Sequence, residues 1–189
     1  MAELVLVLVY SGIFGITMKI ADLLNEHGLK FFKGDSIIFG FLWGIFGSLL
    51  VTSDSSIANL ILATVVGFIP RMKIDYINHV IAASIIIIVF LLYQTFVPMI
   101  FFPFFLIFVT IGTVRDFIRK LSGGKSEISF FKNIFKKFYY VFYYDIFSYV
   151  PLVFIYSFMT SNWMLFYFGL TNSLFYNIAK FYGFKRGYR

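Results

Sequence analysis

The sequence predicts an all-α, polytopic membrane protein with about seven transmembrane helices, its N-terminus outside and its C-terminus cytoplasmic. Hydrophobic residues make up 60% of the 189 positions and charged residues 13%, whereas a soluble domain carries about 25% charged residues. Long apolar runs such as 80–92 have neither helical nor strand alternation, which is typical of surfaces that face lipid. A soluble domain is therefore excluded.

The helices are predicted from apolar segments of about 20 residues, the length that a bilayer requires. Short breaks containing polar residues, Pro or Gly separate them. The predicted helices span residues 2–21, 36–51, 56–70, 77–95, 98–114, 138–160 and 163–180. The third is the shortest, covering only about 22 Å at about 1.5 Å per residue, and Asp54 and Pro70 bracket it.

The position of the basic residues supports a crossing by the third helix. With seven crossings, all 16 Lys and Arg residues lie at one membrane face, and without the third they would be divided between two faces. The positive-inside rule makes that face cytoplasmic, in an integral protein of the cell membrane. Basic residues beside apolar spans favour membrane lipids with anionic headgroups as partners over nucleic acid. A homo- or hetero-oligomer is compatible with this composition.

The chain is predicted to form a single transmembrane domain over residues 1–189. Between the fifth and sixth helices, the segment at about 127–138 places Phe130, Phe131 and Ile134 on one helical stripe, which predicts an amphipathic cytoplasmic helix on the membrane surface. The chain has no Cys and two His, which excludes a disulfide framework, a Cys nucleophile and a three-His zinc site.

A short polar pattern occurs twice at the predicted cytoplasmic face. Residues 18–27 and 72–79 both contain Met-Lys-Ile, then an Asp, an Asn three residues after it, and a His. Helices 1 and 3 run in the same direction, so both copies reach the same face. Side chains at i, i+3 and i+4 share one side of a helix, and each copy is therefore predicted to present a polar helical face.

The two copies predict a site for a divalent cation and a phosphate group. Carboxylates suit Mg²⁺, and the candidate metal ligands are Asp22, Glu26 and Asp75. The candidate substrate-binding residues are basic or amide side chains, namely Lys19, Arg71, Lys73, Asn25 and Asn78. His27 or His79 would act as acid or base. The alternative is that these are ordinary polar helix ends at a membrane surface, without a site.

Asp145 is a further candidate catalytic residue. It lies about eight residues into the sixth predicted helix, about 10 Å inside the bilayer. An intramembrane carboxylate is expected to face the bundle interior and to have a partner. Helix 7 offers Asn172, Ser173, Asn177 and Lys180. The alternative is a structural hydrogen bond that holds helices 6 and 7 together.

These features predict a small integral membrane enzyme that acts on a phosphorylated or pyrophosphorylated lipid at the cytoplasmic leaflet, such as a Mg²⁺-dependent transferase. The alternatives are a small transporter or channel and a non-catalytic subunit of a membrane complex. An enzyme for lipid headgroups needs its polar residues at one interface, whereas a transporter needs them near the midplane. The polar residues of this chain cluster near one interface, which favours the enzyme.

Overall fold

The structure is a computed structural model that describes residues 2–26, 28–74, 76–121 and 149–185. These residues form seven α-helices and no strand, so the predicted all-α class is confirmed for them. The helices are α1 (Ala2–Glu26), α2 (Asp35–Ser53), α3 (Ser55–Gly67), α4 (Ile77–Tyr93), α5 (Pro98–Leu121), α6 (Val150–Thr160) and α7 (Trp163–Lys185). The predicted amphipathic segment at 127–138 lies outside the described residues.

Three of the described helices are long and apolar enough to cross a membrane. The apolar spans are Glu3–Asn25, Asp35–Ser53 and Pro98–Phe117. Shorter apolar helices are α3, α4 and α6, with 13, 17 and 11 residues. Large hydrophobic side chains also lie exposed on the helix surfaces, as at Leu91 and Met159, which are 74% and 78% exposed. Exposed apolar surface of this kind is typical of membrane association.

Several pairs of packed helices run parallel. Gly40 of α2 lies against Asn78 of α4, and Gly47 lies against Ile86 further along both helices. Helices α1 and α7 are also parallel, because Gly15 contacts Asn172 and, further along both helices, Leu23 contacts Gly183. Helices α3 and α5 are parallel as well, since Asn59 contacts Val97 and Gly67 contacts Phe108.

Other pairs are antiparallel. Tyr10 and Phe14 of α1 contact Phe46 and Trp43 of α2, so the contacts advance along one helix and retreat along the other. The hairpin of α6 and α7 has the same arrangement, with Val153 against Gly169 and Phe154 against Phe166. Ser56 at the start of α3 also contacts Asn162, just before α7. Helices α1, α3, α5 and α7 therefore run in one direction, and α2, α4 and α6 run in the other.

The turn between α2 and α3 consists of Asp54, which is both the C-cap of α2 and the N-cap of α3. Its Oδ1 accepts the N–H groups of Ser56 and Ile57 at 2.8 and 2.9 Å. Two of the N–H groups that a helix leaves unpaired at its start are thereby satisfied. Asp54 thus explains why α2 and α3 form so tight a hairpin.

Three amide side chains tie the connections at this same end of the bundle together, and we call them the amide clamp. Asn59 is fully buried, donates to the Thr95 carbonyl at 3.0 Å and accepts from the Val97 N–H at 2.8 Å. Gln94 donates to the Val51 carbonyl at 2.7 Å. Asn162 donates to the Ser56 hydroxyl at 2.8 Å. The clamp joins the α2–α3, α4–α5 and α6–α7 connections. The end of the bundle that contains it is the clamp end.

At the opposite end, α1 continues beyond its predicted boundary, to Glu26. Gly28 follows with a φ of 74°, and the Leu29 N–H donates to the Leu23 carbonyl at 3.0 Å. A positive φ is readily adopted by Gly, so the chain reverses here with little strain.

The second copy of the repeated pattern is not a continuous helix, and the helical face predicted for it is wrong. Helix α3 ends at Gly67, and α4 begins only at Ile77. Pro70 has no N–H to continue a helix, and Met72 has a φ of 54°. The Lys73 N–H donates to the Phe68 carbonyl at 3.0 Å and closes the turn.

The Lys and Arg residues of the described chain all lie toward this opposite end, in the last turns of α1, α5 and α7 and in the α1–α2 and α3–α4 connections. We call it the basic end. The buried core of the bundle lies between the two ends and includes Trp43 and Phe168, each 1% exposed.

Candidate functional site

Near the basic end, the carboxylate of Asp22 is bonded by side chains from three helices. Its Oδ1 lies 3.2 Å from Nε2 of His79 on α4. Its Oδ2 accepts the hydroxyl of Tyr176 on α7 at 3.0 Å and lies 3.5 Å from Nζ of Lys19, one turn earlier on α1. Together with Asn78, these residues form the Asp22 cluster.

The cluster is shielded from solvent. The side chains of Lys19, Asp22 and His79 are 9%, 17% and 2% exposed. The rings of Trp43 and Phe68 pack nearly perpendicular to the His79 imidazole, with centroids 5.2 and 5.3 Å away. Because few water molecules can screen the charges, electrostatic interactions within the cluster are stronger than on an exposed surface.

Asn78 joins the start of α4 to α1. Its Nδ2 donates to the Ala21 carbonyl at 2.8 Å, and its Oδ1 accepts the backbone N–H of His79 at 2.8 Å. Gly40 of α2 permits the close approach, since a Cβ there would lie 2.8 Å from the Asn78 Cα. Asn78 is fully buried and holds helices together. Binding of a substrate by Asn78 remains a prediction, and it would require the hydrogen bonds of Asn78 to Ala21 and His79 to break.

The bonding of Asp22 bears on its predicted role as a metal ligand. Its two carboxylate oxygens already contact His79, Tyr176 and Lys19, and a Mg²⁺ ion would have to share those oxygens with them. Within the described ranges, no group of three His, Cys, Asp or Glu side chains could hold a metal ion. The role of Asp22 as a metal ligand remains a prediction. His27, Asp75 and the side chain of Glu26 lie outside what the structure describes, and their roles remain predictions.

Arg71, a predicted phosphate-binding residue, is engaged with α5. Its Nη2 donates to Oδ2 of Asp116 at 3.1 Å, and its guanidinium lies 4.9 Å from the centroid of the Phe108 ring. Phe68 contacts both Phe108 and His79, with centroids 5.4 and 5.3 Å apart. The Arg71–Asp116 pair thus anchors the α3–α4 turn to α5, and two aromatic rings link it to the Asp22 cluster. Lys73 lies in the same turn.

Asn25, the remaining predicted binding residue, lies one turn after Asp22 on α1. Its Nδ2 is buried and has no hydrogen-bond partner among the described residues. An unpaired buried amide donor is energetically costly, so this atom is available to a group that enters the basic end.

A polar face of α7 packs against α1. Asn172, Ser173 and Lys180 are buried, at 8%, 2% and 7% exposure, and Tyr176 lies between them. Tyr176 was not among the predicted site residues, although its spacing of four residues from both Asn172 and Lys180 places it on the same helical face. Asp145, the predicted partner of this face, lies outside the described residues.

Comparison of the chain with protein-family models, with curated proteins and with solved structures finds no match. The site is therefore interpreted from its own geometry. A buried imidazole within hydrogen-bond reach of a carboxylate, next to an ammonium group, is an arrangement that can hold and move a proton beside an anion.

Proposed function

We propose that the chain crosses the membrane seven times, with its N-terminus outside and its C-terminus in the cytoplasm. The alternating helix directions and the position of the basic residues at one end support this topology. Helix α3 covers about 20 Å, less than the roughly 30 Å thickness of the hydrocarbon core. The Asp54 cap before it and the turn after Gly67 would cover part of the remaining thickness. In this topology, the Asp22 cluster lies near the cytoplasmic face of the cell membrane.

We further propose that the protein is an enzyme acting on a phosphorylated or pyrophosphorylated lipid at the cytoplasmic leaflet. The observation that supports this function best is the contact of 3.2 Å between His79 and Asp22, with Lys19 at the other carboxylate oxygen. When a phosphate ester or anhydride bond breaks, the leaving oxygen gains from a proton donor and the remaining oxygens gain from nearby positive charge. The cluster offers both.

The depth of the cluster favours a headgroup substrate. Asp22 lies in the last turns of α1, and His79 lies in the first turn of α4. Both positions are near a membrane interface rather than the midplane. Lys19 would bind a phosphate oxygen, with Lys73 and Arg71 at the same end of the bundle as further candidates. The Mg²⁺ requirement remains a prediction.

The experiment measures turnover by the protein in liposomes, with a phosphatidate and a polyprenyl pyrophosphate as test lipids, in Mg²⁺ or in EDTA. We expect turnover, and we expect His79→Gln and Asp22→Asn to lower kcat by roughly 100-fold or more, as for the loss of an acid-base group. Thr52→Ala is the control, because its exposed hydroxyl only donates to the Leu49 carbonyl at the clamp end. Absence of turnover of both lipids, or full activity of His79→Gln, would contradict the proposal.

A transporter is the second candidate, and one observation favours it. The Oδ1 atoms of Asn172 and Asn177 on α7 are buried and have no hydrogen-bond donor among the described residues. Unpaired acceptors inside a helical bundle are suited to a passing cation or proton. Flux of a cation or of protons across liposomes that contain the protein, lowered by Asn172→Ala, would support transport over lipid chemistry.

A further inference from the structure

The connection between α1 and α2 contains an exposed loop in which two lysines flank two phenylalanines. Residues 30–33 have the sequence Lys-Phe-Phe-Lys, and all four are exposed, with Phe31 and Phe32 at 45% and 48%. We call these four residues the KFFK loop. Two adjacent aromatic rings that face outward are better suited to an apolar environment than to water.

The backbone of the KFFK loop is fixed at both of its ends. On the side of α2, Oδ2 of Asp35 accepts the N–H groups of Phe31 and Phe32 at 2.7 and 3.3 Å. On the side of α1, Leu29 is 4% exposed and packs in a small apolar cluster with the end of that helix. These contacts use backbone groups and a neighbouring residue, so substitution of the exposed side chains should leave the conformation of the loop intact.

The charge that the loop presents to its surroundings is positive. Residues 28–34 contain two lysines and no acid. The first acid that follows, Asp35, is 7% exposed and directs its carboxylate toward backbone N–H groups. The ammonium groups of Lys30 and Lys33 are therefore the outward-facing charges of this connection, and they attract anions.

The helices on both sides place the loop at a membrane surface. Both α1 and α2 contain spans long and apolar enough to cross a membrane. A loop that joins two such helices lies at a bilayer interface, whichever of the shorter helices also cross. Exposed apolar side chains continue along α2 at a spacing of four residues, at Ile37, Phe41 and Ile45, which defines a lipid-facing stripe that begins next to the loop.

Anionic phospholipids match this combination of charge and apolar surface. Their phosphate groups lie directly outside the acyl chains, so a lysine can reach a phosphate while a neighbouring ring enters the hydrocarbon boundary. A protein partner would have to supply acids and an apolar pocket together. The cytoplasmic leaflet already offers an apolar layer and a negative surface, which favours lipid as the partner.

We propose that the KFFK loop is a binding site for anionic phospholipid headgroups. Phe31 and Phe32 insert below the headgroups, and Lys30 and Lys33 bind the phosphate groups on either side. This inference goes beyond the proposed function, because it requires no reaction and uses no residue of the Asp22 cluster. The lipid bound here is a resident of the membrane rather than a substrate.

The test is fluorescence quenching of the protein in lipid vesicles. The chain has no Cys, so Phe32→Cys supplies a single attachment site for a bimane fluorophore. The vesicles contain phosphatidylcholine and phosphatidylglycerol in a fixed proportion, and one of the two lipids is brominated on its acyl chains. Bromine quenches on contact, so comparison of the two preparations gives the enrichment of phosphatidylglycerol beside the loop. We expect quenching by brominated lipid, protection from aqueous acrylamide, and a preference for phosphatidylglycerol.

Variants of Lys33 test the electrostatic cause. A basic residue near an anionic membrane surface contributes a factor of about five in association. We therefore expect Lys33→Gln to lower the preference at position 32 about fivefold, and the matched control Lys33→Arg to retain it. With the fluorophore attached instead through Ile45→Cys, on the lipid-facing stripe, we expect quenching by both brominated lipids without a preference.

Three results would overturn the proposal. Quenching of position 32 by acrylamide and not by brominated lipid would place the loop in water or beneath another protein. Equal quenching by the two brominated lipids would remove the preference for an anionic headgroup. An unchanged preference in Lys33→Gln would show that the lysines do not cause it. None of these measurements involves turnover, so failure of the proposed enzymatic function would leave them unaffected.

Discussion

Gly40→Ala tests whether close packing of α2 against α4 positions the Asp22 cluster. A Cβ at Gly40 would lie 2.8 Å from the Cα and 2.9 Å from the carbonyl oxygen of Asn78, and ordinary contact begins near 3.4 Å. Both atoms belong to the backbone, so they cannot rotate away. The start of α4 must move by about 0.6 Å or more to reach an ordinary carbon contact distance.

The energetic effect has two opposing parts. Alanine in a helix is more favourable than glycine by about 1 kcal/mol. Overpacking typically destabilises by about 1 to 3 kcal/mol, and weakening the Asn78–Ala21 hydrogen bond adds about 1 kcal/mol. We therefore expect a net loss of about 2 kcal/mol. A lengthening of the His79–Asp22 contact by 0.6 Å from its 3.2 Å would take it beyond hydrogen-bond reach.

The assay combines thermal unfolding in detergent with ¹⁵N NMR of the labelled histidine rings, in which a His27→Gln background leaves His79 as the single labelled ring. Gly44→Ala is the matched control on the same helix, because the nearest atom to its new Cβ is the flexible Cδ1 of Ile85 at 2.9 Å and its nearest backbone atom, the Cα of Ala82, is at 3.2 Å. We expect Gly40→Ala to be less stable than Gly44→Ala and to shift the ¹⁵N signals of the His79 ring. Equal stability and an unchanged spectrum in the two variants would refute the reasoning.

Four further predictions test other parts of the molecule. Asn59→Ala should lower stability by about 2 kcal/mol, since it removes the clamp's bonds to the α4–α5 connection; an unchanged unfolding temperature would contradict this. Tyr176→Phe should cost about 1 to 2 kcal/mol and shift the infrared carboxylate band of the Asp22 cluster, and a band identical to that of the wild type would count against the contact. Arg71→Gln and Asp116→Asn should each destabilise the fold, and the double variant should be little worse than either, whereas additive losses would show that the pair is not coupled. Reporter fusions after position 53 and at the C-terminus should report opposite membrane faces, and reporters on the same face would overturn the seven-span topology.

The hydropathy of the chain was sufficient to predict that the helices exist. Their ends were less predictable. Helix α1 continues through Asp22, whose carboxylate contacts His79 and Tyr176 of other helices, and a hydropathy window does not register such tertiary contacts. Hydropathy predicts that helix α3 reaches Pro70, but the helix ends at Gly67, before the proline whose missing N–H cannot continue it.

The site was predicted in part. The similarity of residues 18–27 and 72–79 identified Asp22 and His79, which the structure brings together. It did not predict that they would bond directly, because their roles were inferred separately from ligand chemistry. Asn78 was predicted to bind substrate, and its actual bond to the Ala21 carbonyl depends on the register of α4 against α1, which the sequence does not contain.

The parallel packing of α1 against α7 has a consequence for biosynthesis. Asp22 and Tyr176 are separated by 154 residues, so α1 is synthesised long before the helix that supplies its Tyr176 partner. Contacts between such distant residues close a large loop and form late in folding. An intermediate in which α7 has not yet packed would therefore lack the bond from Tyr176 to Asp22 and leave that side of α1 uncovered. Packing of α7 against α1 then completes the contacts of the Asp22 carboxylate.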